Sequence, residues 1–265
     1  MALLTINDAS DPRLAPYVSI RERDLTGRPD GRFIVEGRVT LGILAHRSRF
    51  EVESVFIGES RVEPLADTLA LLPADVPVYV APQPLMDEVA GFAIHRGVVA
   101  CARKGEPLEL GDIMAGSETL LVLNDISNHD NVGAALRNAA AFGADGVVLD
   151  ERSCDPLYRK SIRVSAGAAL WLPFHHGGTG GDHVTSLQQA GFEIWAMTPD
   201  ASAPALAEMK RPRKTVILLG AEGPGLPADI IARCQPVRIP MRDGFDSINV
   251  ATAGAIALAS LFAQS

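Results

Sequence analysis

The chain has 265 residues, 47% of them hydrophobic and 21% charged, and it carries a net charge of −8. That apolar share fills a sizeable core, and the length suits one large domain or two ordinary ones. No apolar run approaches the ~20 residues that cross a bilayer, the opening 1–8 lacks the basic-then-apolar order of a signal peptide, and Cys101, Cys154 and Cys234 lie far apart with no Cys-x-x-Cys pair. A membrane span, a disulfide framework and a metal site are therefore not expected, and a cytoplasmic location is.

The charge is unevenly spread. The first fifty residues carry Arg13, Arg21, Arg23, Arg28, Arg32, Arg38, Arg47 and Arg49, with His46 beside them, while acids gather in 51–112. A basic face on an acidic body is compatible with a nucleic-acid partner, although by itself it reads as solvated surface.

In chain order, short apolar runs alternate with helical patterns, the mark of α/β layering. Residues 32–36 read as a strand, 38–45 as a helix behind Gly37, 54–58 and 76–80 as strands, 84–90 as a helix and 97–103 as a strand, which together make a first domain over 1–103. Gly105, Pro107, Gly111 and Gly116 mark 104–118 as a linker. A second domain, 119–265, opens with the continuous apolar run 120–123, typical of a strand buried on both faces. A helix over 132–142 follows, capped by Asp130 or Asn131 and stopped by Gly143. Strands are predicted at 146–149, 171–174, 193–197, 216–219 and 237–239, a helix start at Asp155-Pro156, and a last helix from about residue 249 that is rich in alanine and glycine.

Three segments stand out. Asn131-Val-Gly-Ala-Ala-Leu-Arg137 opens a helix and holds one arginine further along it. Leu219-Gly220-Ala-Glu222-Gly-Pro-Gly225-Leu leaves a strand through a glycine-bearing loop. Ile239-Pro-Met241 runs through a polar loop to Ser247-Ile248-Asn249-Val. Each alone has a plain explanation: a surface charge on an alanine-rich helix, a tight turn, and a helix cap worth about 1 kcal/mol. The glycine loop is not Gly-x-Gly-x-x-Gly and no ribose-binding acid follows it, which disfavours a dinucleotide site.

Together, in this order and spacing, the three segments resemble the SpoU (TrmH-type) class of the SPOUT RNA methyltransferases, over essentially all of 119–263. Asp155-Pro and Arg163-Val-Ser-Ala-Gly-Ala also match; Phe245-Asp246 before Ser247 is the main departure. The resemblance implies a parallel-sheet domain with a deep trefoil knot and a homodimer formed through it. S-adenosylmethionine would be held by Leu218, Leu219, Gly220, Glu222, Gly225, Ile239, Met241 and Ile248. The catalytic set would be Arg137, Asn131, Glu222, Ser247 and Asn249, acting on a ribose 2′-hydroxyl. The first domain resembles the small α/β/α ribosomal-protein-like substrate-binding domain that precedes the knot in several members. It carries the matching runs 33–37 and 94–100, with Arg38, His46, Arg47, Arg49, His95 and Arg96 as RNA contacts. The extra domain favours ribosomal over transfer RNA. A catalytically silent RNA-binding protein is the alternative on this scaffold, but it would predict damage to Arg137, Glu222, Ser247 or Asn249, and all four are present. A doubly wound nucleotide enzyme would need an early phosphate loop, and none is visible. His175, His176 and His183 flank a glycine-rich stretch read as a flexible loop, with no cysteine near to suggest metal; Trp171 and Trp195 read as core.

Overall fold

The computed structural model describes residues 2–20, 31–94 and 97–264. Its strands are β1 Ala2–Thr5, β2 Arg32–Glu36, β3 Glu51–Gly58, β4 Pro77–Ala81, β5 Val98–Arg103, β6 Thr119–Leu123, β7 Gly146–Leu149, β8 Phe174–His176, β9 Glu193–Met197, β10 Thr215–Leu219 and β11 Gln235–Val237. Its α-helices are α1 Arg38–His46, α2 Ala66–Leu69, α3 Gln83–Ala90, α4 Leu110–Met114, α5 His129–Ala141, α6 Arg159–Val164, α7 Gly180–Gln189, α8 Ala228–Ile231 and α9 Val250–Phe262. Among the described residues, no helix is long and apolar enough to cross a membrane.

Two compact units result, Met1–Glu106 with Leu157–Trp171, and Pro107–Pro156 with Leu172–Ser265. In the first, the sheet order is β1-β4-β3-β5-β2, with β1, β4 and β3 parallel and β5 antiparallel to both its neighbours. Ile6, Leu14, Tyr17, Ile34, Phe56 and Met86 fill its core. The buried Tyr17 hydroxyl shares a 2.7 Å hydrogen bond with Ser54, so the phenol is not left unsatisfied.

Residues 157–171, left in the second domain on sequence alone, fasten onto this first unit at both ends. Arg159 pairs with the buried Glu36 of β2, with Arg163 4.0 Å away, and the Arg159 guanidinium also lies 5.0 Å from the Phe92 ring. At the other end, Gly167 has φ +85°, and a Cβ there would lie 2.6 Å from Ile43 of α1. The Arg49 N–H donates to the Leu170 carbonyl at 3.3 Å.

The second unit is a six-stranded parallel sheet in the order β11-β9-β10-β6-β7-β8. Side chains alternate across a strand. Leu120, Val122, Val216 and Leu218 therefore join Val184 and Leu187 of α7 and Ile230 of α8 in one core cluster. Leu121, Leu123, Ile217 and Leu219 point to the other face, where α9 lies so close that a Cβ on Gly254 would sit 2.8 Å from Leu219. Both faces are covered, which is why these strands read as unbroken apolar runs.

Several boundaries differ from the sequence reading. Helix α5 starts at His129 because Asn128, not Asp130 or Asn131, is its cap, accepting from the Asp130 N–H. Helix α6 starts at Arg159, three residues past Pro156. Trp171 closes a 3-10 turn over Ala168–Leu170, so β8 begins at Phe174 rather than at 171. The glycine stretch before residue 182 is not a free loop. Thr179 accepts from the Asp182 N–H and starts α7, and a Cβ on Gly180 would lie 1.8 Å from the Asn124 amide oxygen. Leu110–Met114 forms a short helix inside the predicted linker, closed by a capping box between Glu109 and Asp112.

Helix α7 buries His183. Among the described residues neither of its ring nitrogens has a hydrogen-bond partner. Burial holds His183 below its ordinary value of 6.5. The folded state therefore refuses a proton that the unfolded state accepts. The proton-linked cost of burying His183 is absent above that pH, and stability is lost as pH falls through and below about 6.5. Urea unfolding of His183→Leu across pH 5–8 is expected to show a shallower loss of stability on acidification than the wild type.

Candidate functional site

A cavity of about 390 Å³ opens in the second unit at the C-terminal ends of β9 and β10. That is the edge of a parallel sheet where ligands are held, because strand ends leave backbone groups free there. Its walls come from three loops: Met197–Pro199 after β9, Leu219 to Gly225 after β10, and Ile239 to Val250 between β11 and α9, with Ala253 of α9 behind.

The loop after β10 is shaped by its glycines. Its chain folds back so that the Gly225 N–H donates to the Ala221 carbonyl at 3.1 Å, with Gly223 at φ +88° and Gly225 at φ +71°. A Cβ on Gly220 would lie 2.5 Å from the Leu226 nitrogen and 2.6 Å from the Gly225 carbonyl carbon. The returning loop therefore fills the space beside Gly220 and leaves no room for a side chain there.

A chain of side-chain amides ties the loops together. Asn131 of α5 donates its Nδ2 to Glu222 Oε1, Asn249 donates its Nδ2 to Asn131 Oδ1 at 2.8 Å, and Asn249 Oδ1 accepts from the Thr252 N–H at 3.1 Å. Asn249 is thus the cap of α9, as its sequence position suggested. Two helical turns past Asn131, Asn138 of α5 donates to the Ala251 carbonyl at 2.9 Å, locking α5 to α9.

The cavity lining includes Leu219, Gly220, Glu222, Gly225, Ile239, Met241, Ser247, Ile248 and Asn249 of the predicted set. Leu218 is not among them: the strand's alternation sends it into the opposite core. Asn131 sits behind Glu222 rather than on the wall. Arg137 is exposed, with no hydrogen bond or ion pair among the described residues, and it does not line the cavity. It follows from helix geometry: Asn131 and Asn138 are two turns apart on the face against α9, and Arg137 is rotated about 100° from Asn138. Thr198 and Pro199 were missed. A strand end followed by proline was their signal, but nothing in the sequence says that β9 lies beside β10.

In the first unit, Arg38 and His46 are exposed on α1. Arg47 lies with its guanidinium 3.4 Å over the Trp171 ring, and Arg49 lies 4.3 Å over Phe50. Burial lowers the Arg49 pKa. Trp171 is therefore half-exposed under an arginine rather than core, whereas Trp195 is fully buried. His95 and Arg96 lie outside the described residues. His175 and His176 are directed at the backbone carbonyls of Leu108 and Ser153, and no three His, Cys, Asp or Glu side chains gather as a metal set among the described residues.

Residues 118–259 match the model of the SpoU rRNA Methylase family. The chain is 37% identical over 262 residues to an uncharacterised tRNA/rRNA methyltransferase of Mycobacterium bovis, covering 94% of this chain and 88% of that one. It is 30% identical over 180 residues to the 23S rRNA (guanosine-2′-O-)-methyltransferase RlmB of Vibrio parahaemolyticus, covering 65% and 72%. An AdoMet-bound rRNA methyltransferase from Sinorhizobium meliloti superposes with a TM-score of 0.80 over 98% of this chain and 97% of that one, at 22% identity.

Gly220→Ala is expected to cost about 1–3 kcal/mol in denaturant unfolding, since its methyl group meets fixed backbone. Gly42→Ala, with open space around it in the middle of α1, is the control and is expected to stabilise by about 0.5–1 kcal/mol.

Proposed function

Because the chain belongs to the SpoU rRNA methylase family, we propose that it methylates a ribose 2′-hydroxyl of structured RNA from S-adenosylmethionine, ribosomal RNA before transfer RNA. The observation that carries this is the cavity itself: the loops at 219–225 and 239–250, distant in sequence, wall one pocket and are joined through Asn131. Its volume lies in the range of small-molecule sites. The side chains of Leu219, Ile239, Met241 and Ile248 would hold an apolar ring, and the bare backbone at Gly220 admits polar groups at close range. S-adenosylmethionine supplies an activated methyl group, so the hard chemistry belongs to the cofactor.

What remains for the protein is the nucleophile. A ribose hydroxyl must be aimed in line with the methyl and must lose its proton as the new O–C bond forms and the S–C bond breaks. Guanidinium stays protonated in nearly every setting. Arg137 is therefore read as gripping the neighbouring phosphate and stabilising the developing alkoxide, the proton leaving to phosphate or water. Glu222, Asn131, Ser247 and Asn249 orient the sugar. Since Arg137 faces away from its own cavity, this reading calls for a homodimer in which each subunit lends its arginine to the other's pocket. The family resemblance carries with it a chain that threads itself as a trefoil knot, a rare exception to ordinary topology. Residues 1–103, joined by 157–171, serve as the RNA-binding domain and 104–118 as its linker, and cysteines not engaged in disulfides, Cys101, Cys154 and Cys234, suit the cytoplasm.

Incubation with ribosomal RNA and the cofactor, followed by mass-spectrometric mapping, is expected to yield a 2′-O-methylated nucleotide. Arg137→Lys is expected to lower turnover on the order of 10²-fold with cofactor affinity unchanged, the scale of losing one transition-state donor. Unchanged turnover would remove the guanidinium from the chemistry.

A further inference from the structure

The first unit carries an arrangement that the methyl-transfer chemistry does not use. Two segments packed on each other there are free of acidic residues. Residues 37–50 hold Arg38, His46, Arg47 and Arg49, and residues 157–171 hold Arg159, Lys160 and Arg163. Glu36 balances Arg159 and lies 4.0 Å from Arg163, so the exposed cationic cluster is Arg38, His46, Arg47, Arg49 and Lys160; in a chain of net charge −8 such a cluster is the footprint of a polyanion.

At its centre the Arg47 guanidinium lies 3.4 Å over the half-exposed Trp171 ring. The stack is built rather than incidental. The Gly167 close approach to Ile43 and the Arg49-to-Leu170 hydrogen bond seat the segment just before Trp171 on the end of α1. The Glu36–Arg159 pair holds its far end. A guanidinium seated over an indole brings together a cation and an aromatic ring, the two kinds of group on which an unpaired base stacks.

Resting on the proposed RNA substrate, we infer that Arg47 and Trp171 form a stacking platform for an unpaired nucleobase, with Arg38, His46 and Lys160 holding the flanking phosphates. Base-paired RNA hides its base faces, so the platform selects a loop or bulge over a duplex. The proposed substrate thereby acquires a class, RNA that carries an unstacked base besides the methylated ribose.

Trp171 reports on this directly, because Trp195 is fully buried. The test titrates the full-length protein with a hairpin RNA bearing an unpaired loop, and with a fully paired duplex of the same length, while following tryptophan fluorescence. The hairpin is expected to quench the emission and the duplex to leave it nearly unchanged, and Trp171→Phe is expected to abolish the response. Arg47→Ala and Arg47→Lys are both expected to weaken hairpin binding roughly 10-fold, because lysine keeps the charge but not the plane. Cofactor binding by calorimetry should stay unchanged in both. Full rescue by Arg47→Lys, equal response to the duplex, or binding without quenching would each overturn the platform. Methylation of total ribosomal RNA by the same protein separates the two ideas. If methylation persists while the platform test fails, only the platform falls. If neither RNA binds and nothing is methylated, the RNA substrate falls with it.

Discussion

A carboxylate can only accept hydrogen bonds, and from that single fact the arrangement of the site follows. Glu222 takes the Asn131 amide nitrogen, which leaves the Asn131 oxygen to face Asn249. Asn249 must then present its own nitrogen to Asn131, and its oxygen is left to cap α9. One negative charge thus sets the orientation of two amides and anchors the start of a helix. Three segments, the first 91 and 118 positions from the other two, are held in register by it. The proposed chemistry needs such a fixed polarity, since a site that orients a sugar hydroxyl gains little from side chains free to flip.

Around that chain the cavity is defined by what is missing. Gly220 has no room for a methyl group, and Gly254 lets α9 lie directly on Leu219. These close approaches fix the loop and the helix that flank the cavity, whose apolar lining includes Leu219, Ile239, Met241 and Ile248. The carboxylate of Glu222 on the same lining suits a ligand that brings its own positive charge.

Much of this was legible beforehand because it is local. Leu120 to Leu123 and Val216 to Leu219 are unbroken apolar runs, and both proved to be strands covered on two faces. Gly37, Gly143 and Asn249 marked helix ends by their backbone and capping chemistry. What was not legible is set by distant neighbours. Alternation told that Leu218 and Leu219 face opposite ways, but not which of them would meet the cavity. Thr179 looked like part of a glycine loop until its bond to the Asp182 N–H made it a cap. Residues 157–171 sit with the first unit because Glu36 and Ile43 receive them, a partnership across more than a hundred positions that no local pattern announces. Arg137 is the sharpest case. Its motif was recognised, yet its own chain leaves it facing solvent, and a second subunit is invoked to give it work.

The most direct measurement is a crystal structure of the protein grown with S-adenosylmethionine. The account predicts the cofactor against Gly220, Ile239 and Ile248, with Arg137 of a second copy reaching toward its methyl group. A vacant cavity, or every arginine at that position remote from every cavity in the assembly, would contradict it.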